Sequence, residues 1–149
     1  MTQLVLPGDT NALGTVFGGT IMSWIDVAAA ISAQRHSNSV VVTASVDHLS
    51  FIAPVYTGWV VNLKASVNFV AKTSMEVGVR VDAENPRTGE TFHTVSAYLT
   101  FVALDEKGKP KPVPQLILET DEDRRRNRAA ARRREARLRL REAQAADST

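Results

Sequence analysis

The stretch from Thr20 to Gln34, TIMSWIDVAAAISAQ, holds neither glycine nor proline and repeats its apolar side chains at helical spacing. Ile21, Trp24, Ile25, Ala28, Ala29 and Ile31 recur at that spacing, and Ala30 and Ala33 add small faces. A helix of this kind is apolar around most of its circumference, and burial is its expected fate. Upstream, Pro7-Gly8-Asp9-Thr10-Asn11 is a cluster of turn formers that Gly14 and Gly18-Gly19 extend into a glycine-spaced loop over residues 7–19. Downstream the pattern changes. Val40 to Ile52 is rich in β-branched residues until Pro54 stops it, and Trp59 to Val70 alternates apolar with polar side chains. Met75 to Ala83 alternates likewise, and a fourth run extends from Thr91 to Leu104. Short connections, among them Asn85-Pro86-Arg87-Thr88-Gly89, predict an antiparallel meander rather than crossover helices. One buried helix ahead of at least four long strands predicts an α+β fold with the sheet wrapped around the helix.

Composition narrows the chemistry. At 149 residues the chain suits one domain with its own core, and without cysteine it has no disulfide, thiolate metal site, iron–sulfur cluster or cysteine nucleophile. His36, His48 and His93 share no HxH or HxxxH spacing, which argues against a zinc site built from imidazoles. No apolar run approaches the roughly 18–20 residues of a membrane span, and Met1 to Pro7 lacks the form of a signal peptide. A cytoplasmic location is expected.

The net charge of +2 conceals a division. Residues 119–149 hold ten of the 18 basic side chains and seven of the 16 acidic ones, a net of +3, which leaves the remainder at −1. Two regions are therefore expected: a globular body over 1–115 and a basic tail over 116–149, read as helical from about Leu116.

The string Asp9-Thr10-Asn11-Ala12-Leu13-Gly14-Thr15-Val16-Phe17-Gly18-Gly19, followed by Ile21-Met22-Ser23-Trp24-Ile25-Asp26-Val27-Ala28-Ala29, resembles the opening of hotdog-fold acyl-CoA thioesterases. Val42-Thr43-Ala44, Phe51-Ile52-Ala53-Pro54-Val55, Thr73-Ser74-Met75-Glu76-Val77 and Thr100-Phe101-Val102-Ala103-Leu104-Asp105 extend the likeness in order. Within that family it is similar to the acyl-CoA hydrolases that include bacterial short-chain enzymes and brain-type acyl-CoA hydrolase. The resemblance implies a long central helix wrapped by a curved antiparallel sheet, homodimers with shared active sites, and a trimer of such dimers. It implies no cofactor, since coenzyme A belongs to the substrate and product.

Thioester hydrolysis needs an activated water, a polarised carbonyl and a held CoA arm. Asp26 is the only ionisable side chain between Asp9 and Arg35. It can act as general base on water or attack the carbonyl directly, although spacing alone favours a buried acceptor for a hydroxyl such as that of Ser23. Gly18 and Gly19 precede the helix, where free N–H groups can face an oxyanion or where glycines simply shape a tight turn. Asn11 reads by itself as an Asx-turn residue. The resemblance assigns Asp26, Asn11 and Gly19 to catalysis, with Asn11 working opposite the partner subunit's aspartate. It places Phe17 and Gly18, and the Lys72, Thr73 and Ser74 turn, against the substrate. The chain departs from the family pattern at Ala71 and Lys72, where glycine and arginine are common, and at Trp59, where an aspartate is common.

Two rivals follow from the same residues. Dehydratases of this fold generally pair a carboxylate with histidine, and residues 1–35 contain none. A non-catalytic acyl-CoA-binding regulator would keep the CoA contacts without Asp26 and would use its basic tail on nucleic acid or a protein partner. Against nucleic acid, the tail has no aromatic residue for stacking and intersperses acids among its arginines. His48 and His93 read as hydrogen-bonding strand residues, because no nucleophile accompanies them in sequence.

Overall fold

The computed structural model describes residues 1–148. In chain order it contains β1 (Thr2–Leu4), a 3-10 turn (Pro7–Asp9), α1 (Gly18–Ser37), β2 (Val40–Phe51), β3 (Val60–Val70), β4 (Ser74–Glu84), β5 (Thr91–Leu104) and α2 (Asp121–Asp147). The strands form one antiparallel sheet in the order β1-β3-β4-β5-β2, so β2 is an edge. This is the hotdog arrangement: α1 packs across β2 to β5. Asn38 adopts a left-handed conformation (φ 50°) and donates its N–H to the Gln34 carbonyl, which ends α1. The short β1 adds a fifth strand that the alternation did not reveal.

Ile21, Ile25, Ala28, Ala29 and Ala33 of α1 point into the core, against alternate residues of the strands such as Val61, Leu63, Val77, Val79, Leu99 and Phe101. Three alanines on this face let the helix lie close to the sheet. Burying Ile25 stabilises by about 1.5–3 kcal/mol.

Burial of the whole helix is corrected by the structure. Met22, Val27 and Ile31 are 45%, 48% and 37% exposed, because one sheet can cover only one side of a helix. Beside them on edge strand β2, Val42, Val46 and Phe51 are also exposed.

The helical tail begins at Asp121 rather than near Leu116. Pro110, Pro112 and Pro114 keep the preceding segment extended, with Lys111 N–H donating to Ala103 O and Val113 N–H to Lys72 O. Thr120 caps α2 by accepting the Asp123 N–H at 3.0 Å, and the Asp123 carboxylate accepts the Thr120 and Glu119 N–H groups. Those backbone donors hold the Asp123 carboxyl below its ordinary value.

α2 crosses the outer face of its own sheet. Asn127 Nδ2 donates to Asn68 O on β3, and Ala130 is fully buried. Arg133 forks onto Glu76 of β4 (2.7 Å) and lies 3.6 Å over the Tyr98 ring of β5. Arg137 reaches Asp47 of β2 at 2.6 Å and Glu76 at 3.4 Å. Glu76 is 1% exposed, so a carboxylate with almost no access to water is neutralised by the tail.

Candidate active site

Asp26 lies on the flank of α1, between core-facing Ile25 and outward Val27, and is half-buried. Its Oδ1 accepts a hydrogen bond from Thr43 Oγ1 at 2.6 Å. Thr43 stands near the start of β2, opposite Phe101, immediately before a bulge at which Ala44 gains no partner on β5. The hydroxyl fixes the carboxylate rotamer and leaves Oδ2 to meet a water or a substrate. The partner of Asp26 is thus Thr43 rather than Ser23. A lone threonine in a β-branched run carries no chemical signal until the pairing of helix and strand is known, which is why sequence reasoning did not assign it.

Phe17, Gly18 and Gly19 form the N-terminus of α1, with Phe17 as the N-cap and no side chain closing it. Phe17 O accepts the Thr20 and Ile21 N–H groups, whereas those of Gly18 and Gly19 have no acceptor among the described residues. These two donors and the positive end of the helix suit a developing oxyanion. A Cβ on Gly18 would stand 3.2 Å from the Phe51 ring, but one on Gly19 would meet nothing within 4 Å. Beside Gly18, a pocket of about 270 Å3 is lined mainly by apolar side chains, among them Val16, Ile21, Phe51, Ile52 and Pro54.

Asn11 is indeed an Asx-turn residue. Its Oδ1 accepts from Leu13 N (2.9 Å), Thr15 N (3.2 Å) and Thr15 Oγ1 (3.1 Å), while Nδ2 has no partner among the described residues. The Asp9 carbonyl accepts the Phe17 N–H, which ties this turn to the start of α1.

Lys72, Thr73 and Ser74 turn from β3 into β4. Lys72 O and Thr73 O accept N–H groups from Val113 and Ala103, and the Lys72 side chain is exposed.

The expected residues therefore fall into separate places. Ser74 pairs with Val102, and Val40 with Leu104, so the Lys72–Ser74 turn lies at the end of the sheet where β2 begins. Asp26 and Thr43 are near that end. Asn11, Phe17, Gly18 and Gly19 lie at the other, where Phe51 finishes β2. No hydrogen bond joins Asn11 to Asp26 within the protomer among the described residues. His48 bonds Ser50, and His93 lies between Asp82 and Ser96, as expected of hydrogen-bonding strand residues.

The profile of the Thioesterase superfamily matches residues 13–90. The chain is 46% identical over 115 residues to YkhA of Bacillus subtilis, an uncharacterized acyl-CoA thioester hydrolase; the match covers 77% of this chain and 67% of that one. It resembles the crystal structure of an apo-hexameric acyl-CoA thioesterase at TM-score 0.90 and 47% identity, covering 94% of this chain and 90% of the other. The Staphylococcus aureus acyl-CoA hydrolase, solved with butyryl coenzyme A, coenzyme A and coenzyme A disulfide, superimposes at TM-score 0.88 and 38% identity, covering 99% and 91%. Variants of that hydrolase replace an asparagine, an aspartate and a threonine by alanine. These are 15 and 17 residues apart in order, the separations of Asn11, Asp26 and Thr43 here. Because that profile spans more than half of the chain and the Bacillus subtilis relative is 46% identical to it, the chain belongs to the Thioesterase superfamily.

Proposed function

We propose that the protein hydrolyses acyl-CoA to a free acid and coenzyme A, in a site that two protomers build together. The observation that carries this reading is the Thr43–Asp26 pair, a clamped carboxylate on the flank of a helix that holds no other acid. Its spacing from Asn11 matches that of the residues altered in the Staphylococcus aureus hydrolase.

Distances within one protomer support a shared site. Gly19 and Asp26 are seven residues apart on α1, about 10 Å along the axis, which exceeds the span of one reacting carbonyl and its attacking water. A twofold pairing of antiparallel β2 edges would set the end of one β2 beside the start of the other. That brings Asn11, Gly18 and Gly19 of one chain to Asp26 and Thr43 of the next, and covers the exposed apolar side chains of α1 and β2. Three such dimers would make a hexamer.

In this site the Gly19 N–H, with that of Gly18, holds the carbonyl oxygen as it gains negative charge. Asn11 Nδ2 orients the thioester or the water. Asp26 Oδ2 takes a proton from water as its oxygen bonds to the carbonyl carbon; the C–S bond then breaks and the sulfur leaves as the CoA thiolate, which a proton completes. Direct attack by Asp26 would give a mixed anhydride that water then opens. Either route uses only water and the chain's own groups. Phe17 and the Lys72–Ser74 turn hold the acyl-CoA, and the cytoplasm is the proposed setting.

Thiol release from acyl-CoAs of graded chain length tests the reading. Asp26→Ala should remain folded and lose at least about 100-fold in turnover. Mixing and refolding Asp26→Ala with Asn11→Ala should restore activity, because half the sites of a mixed dimer are intact. Undiminished turnover in Asp26→Ala would sink the mechanism, and failed complementation by two inactive parents would sink the shared site.

A further inference from the structure

Between α2 and the outer face of β3 to β5 lies an open groove of about 490 Å3, remote from the Asp26 face of the sheet. Its floor is built around a bulge. Val67 pairs with Val77 and Phe69 with Glu76, so Asn68 is the extra residue with no partner on β4. Its side chain, only 5% exposed, folds over Gly78, where an added Cβ would stand 2.5 Å from Nδ2. Asn68 Oδ1 accepts from Ser66 Oγ at 3.3 Å, whereas Nδ2 has no acceptor among the described residues. The bulge thus turns a largely buried amide over a glycine with its N–H donors still open to the groove, since Thr100 Oγ1 is the enclosed side-chain polar atom left without a partner among the described residues.

Cations and the Glu122 carboxylate share the groove with that donor. Lys64, Arg80, Arg125 and Arg126 line the groove, and Lys64 has no ion-pair partner among the described residues. Arg80 pairs with Asp82, and Arg125 and Arg126 share Glu122. Asp123 lies next to Arg126 at the groove's end, its oxygens engaged by backbone N–H groups. Arg133, the remaining cation, is held by Glu76. Positive charge is therefore left in excess, around a neutral donor and the hydroxyls of Ser66 and Ser96.

We propose that this groove binds the phosphoryl group of a small organic phosphate, with Asn68 Nδ2 donating to it and Lys64 and Arg126 closing over it. The phosphate belongs either to the nucleotide end of the CoA substrate or to a separate phosphorylated ligand, and the chemistry of recognition is the same.

Calorimetric titration of the full chain with sodium pyrophosphate tests the proposal. The parent protein should bind, more weakly as salt is raised. Combined Lys64→Ala and Arg126→Ala should lower affinity at least about tenfold. Asn68→Asp, which puts an acceptor in place of the donor, should abolish binding; Asn68→Ala serves if that variant misfolds. Thiol-release kinetics on the same variants separate the sources. A raised KM with kcat retained assigns the groove to the substrate's own phosphates, and an unchanged KM assigns it to another ligand. No binding by the parent protein, or equal binding by every variant, overturns the proposal. Pyrophosphate binding does not depend on turnover, so its failure is distinguishable from failure of the hydrolase reading.

Discussion

Replacing Arg133 by alanine should cost the fold about 3.5–4 kcal/mol, and the number follows from what surrounds Glu76. That carboxylate is 1% exposed, and Arg133 bonds it through Nη2 (2.7 Å) and Nε (3.1 and 3.2 Å). Removing one partner of a buried ion pair typically costs ~3–5 kcal/mol, because the survivor stays buried without compensation. Arg137 remains 3.4 Å from Oε2, and Arg133 is itself 26% exposed, so the lower end of that range applies. Loss of the guanidinium lying over Tyr98 adds about 0.5–1 kcal/mol. Urea unfolding followed by the fluorescence of Trp24 and Trp59 measures the difference, at equal protein concentration because assembly contributes to stability. Combining Arg133→Met with Glu76→Met should recover most of the loss, since a matched apolar pair needs no counter-charge. A cost below about 1 kcal/mol for Arg133→Ala, or a double variant no better than the single, would refute the claim that the tail neutralises a buried charge.

Thr43→Val keeps the shape of the side chain and removes the bond to Asp26 Oδ1; kcat should fall by about 10- to 100-fold with KM nearly unchanged, as thiol release would show. Gly19→Ala should leave the thermal midpoint equal or slightly higher, since alanine favours helix by about 1 kcal/mol and its Cβ meets nothing within 4 Å, yet activity should drop because the methyl enters the reacting space. The Asp123 carboxyl is held below its ordinary value in the folded chain, so its capping contribution is complete above the usual carboxylate range and is lost as pH falls through its folded value. Amide exchange in the first turn of α2 should therefore quicken, relative to that of α1, on acidification from neutral, and Asp123→Asn should flatten that dependence.

Local pattern and long-range pairing differ in how far sequence can convey them. The glycine-free run of α1 and the alternation in β3 and β4 made the helix and the meander legible, because burial on one face writes a period into the chain. Asp26 stood out as the only ionisable side chain between Asp9 and Arg35. Thr43 did not, since its meaning depends on which strand crosses the helix and at what register. The tail was legible as a basic helix, but its arginines looked alike. Only the docked structure separates Arg133 and Arg137, bound to carboxylates of the sheet, from Arg132 and Arg139 on the solvent side. Its start at Asp121 was signalled by the capping Thr120, which the three prolines upstream made easy to overlook. The exposed side of α1 has a similar cause: one sequence cannot state which neighbour covers an apolar face.

Ten arginines in 31 residues make the tail an obvious substrate for trypsin, yet its placement turns that weakness into a clock. A protease must hold several residues in extended form, so even Arg139, 80% exposed, can be cut only after the helix around it has unravelled. Cleavage near Arg133 requires in addition that the helix lift from Glu76. When reclosing outpaces cutting, the rate of digestion reports the population of the lifted state. The order in which arginine bonds are cut should then trace, bond by bond, how α2 peels from its Asp147 end toward the proline segment.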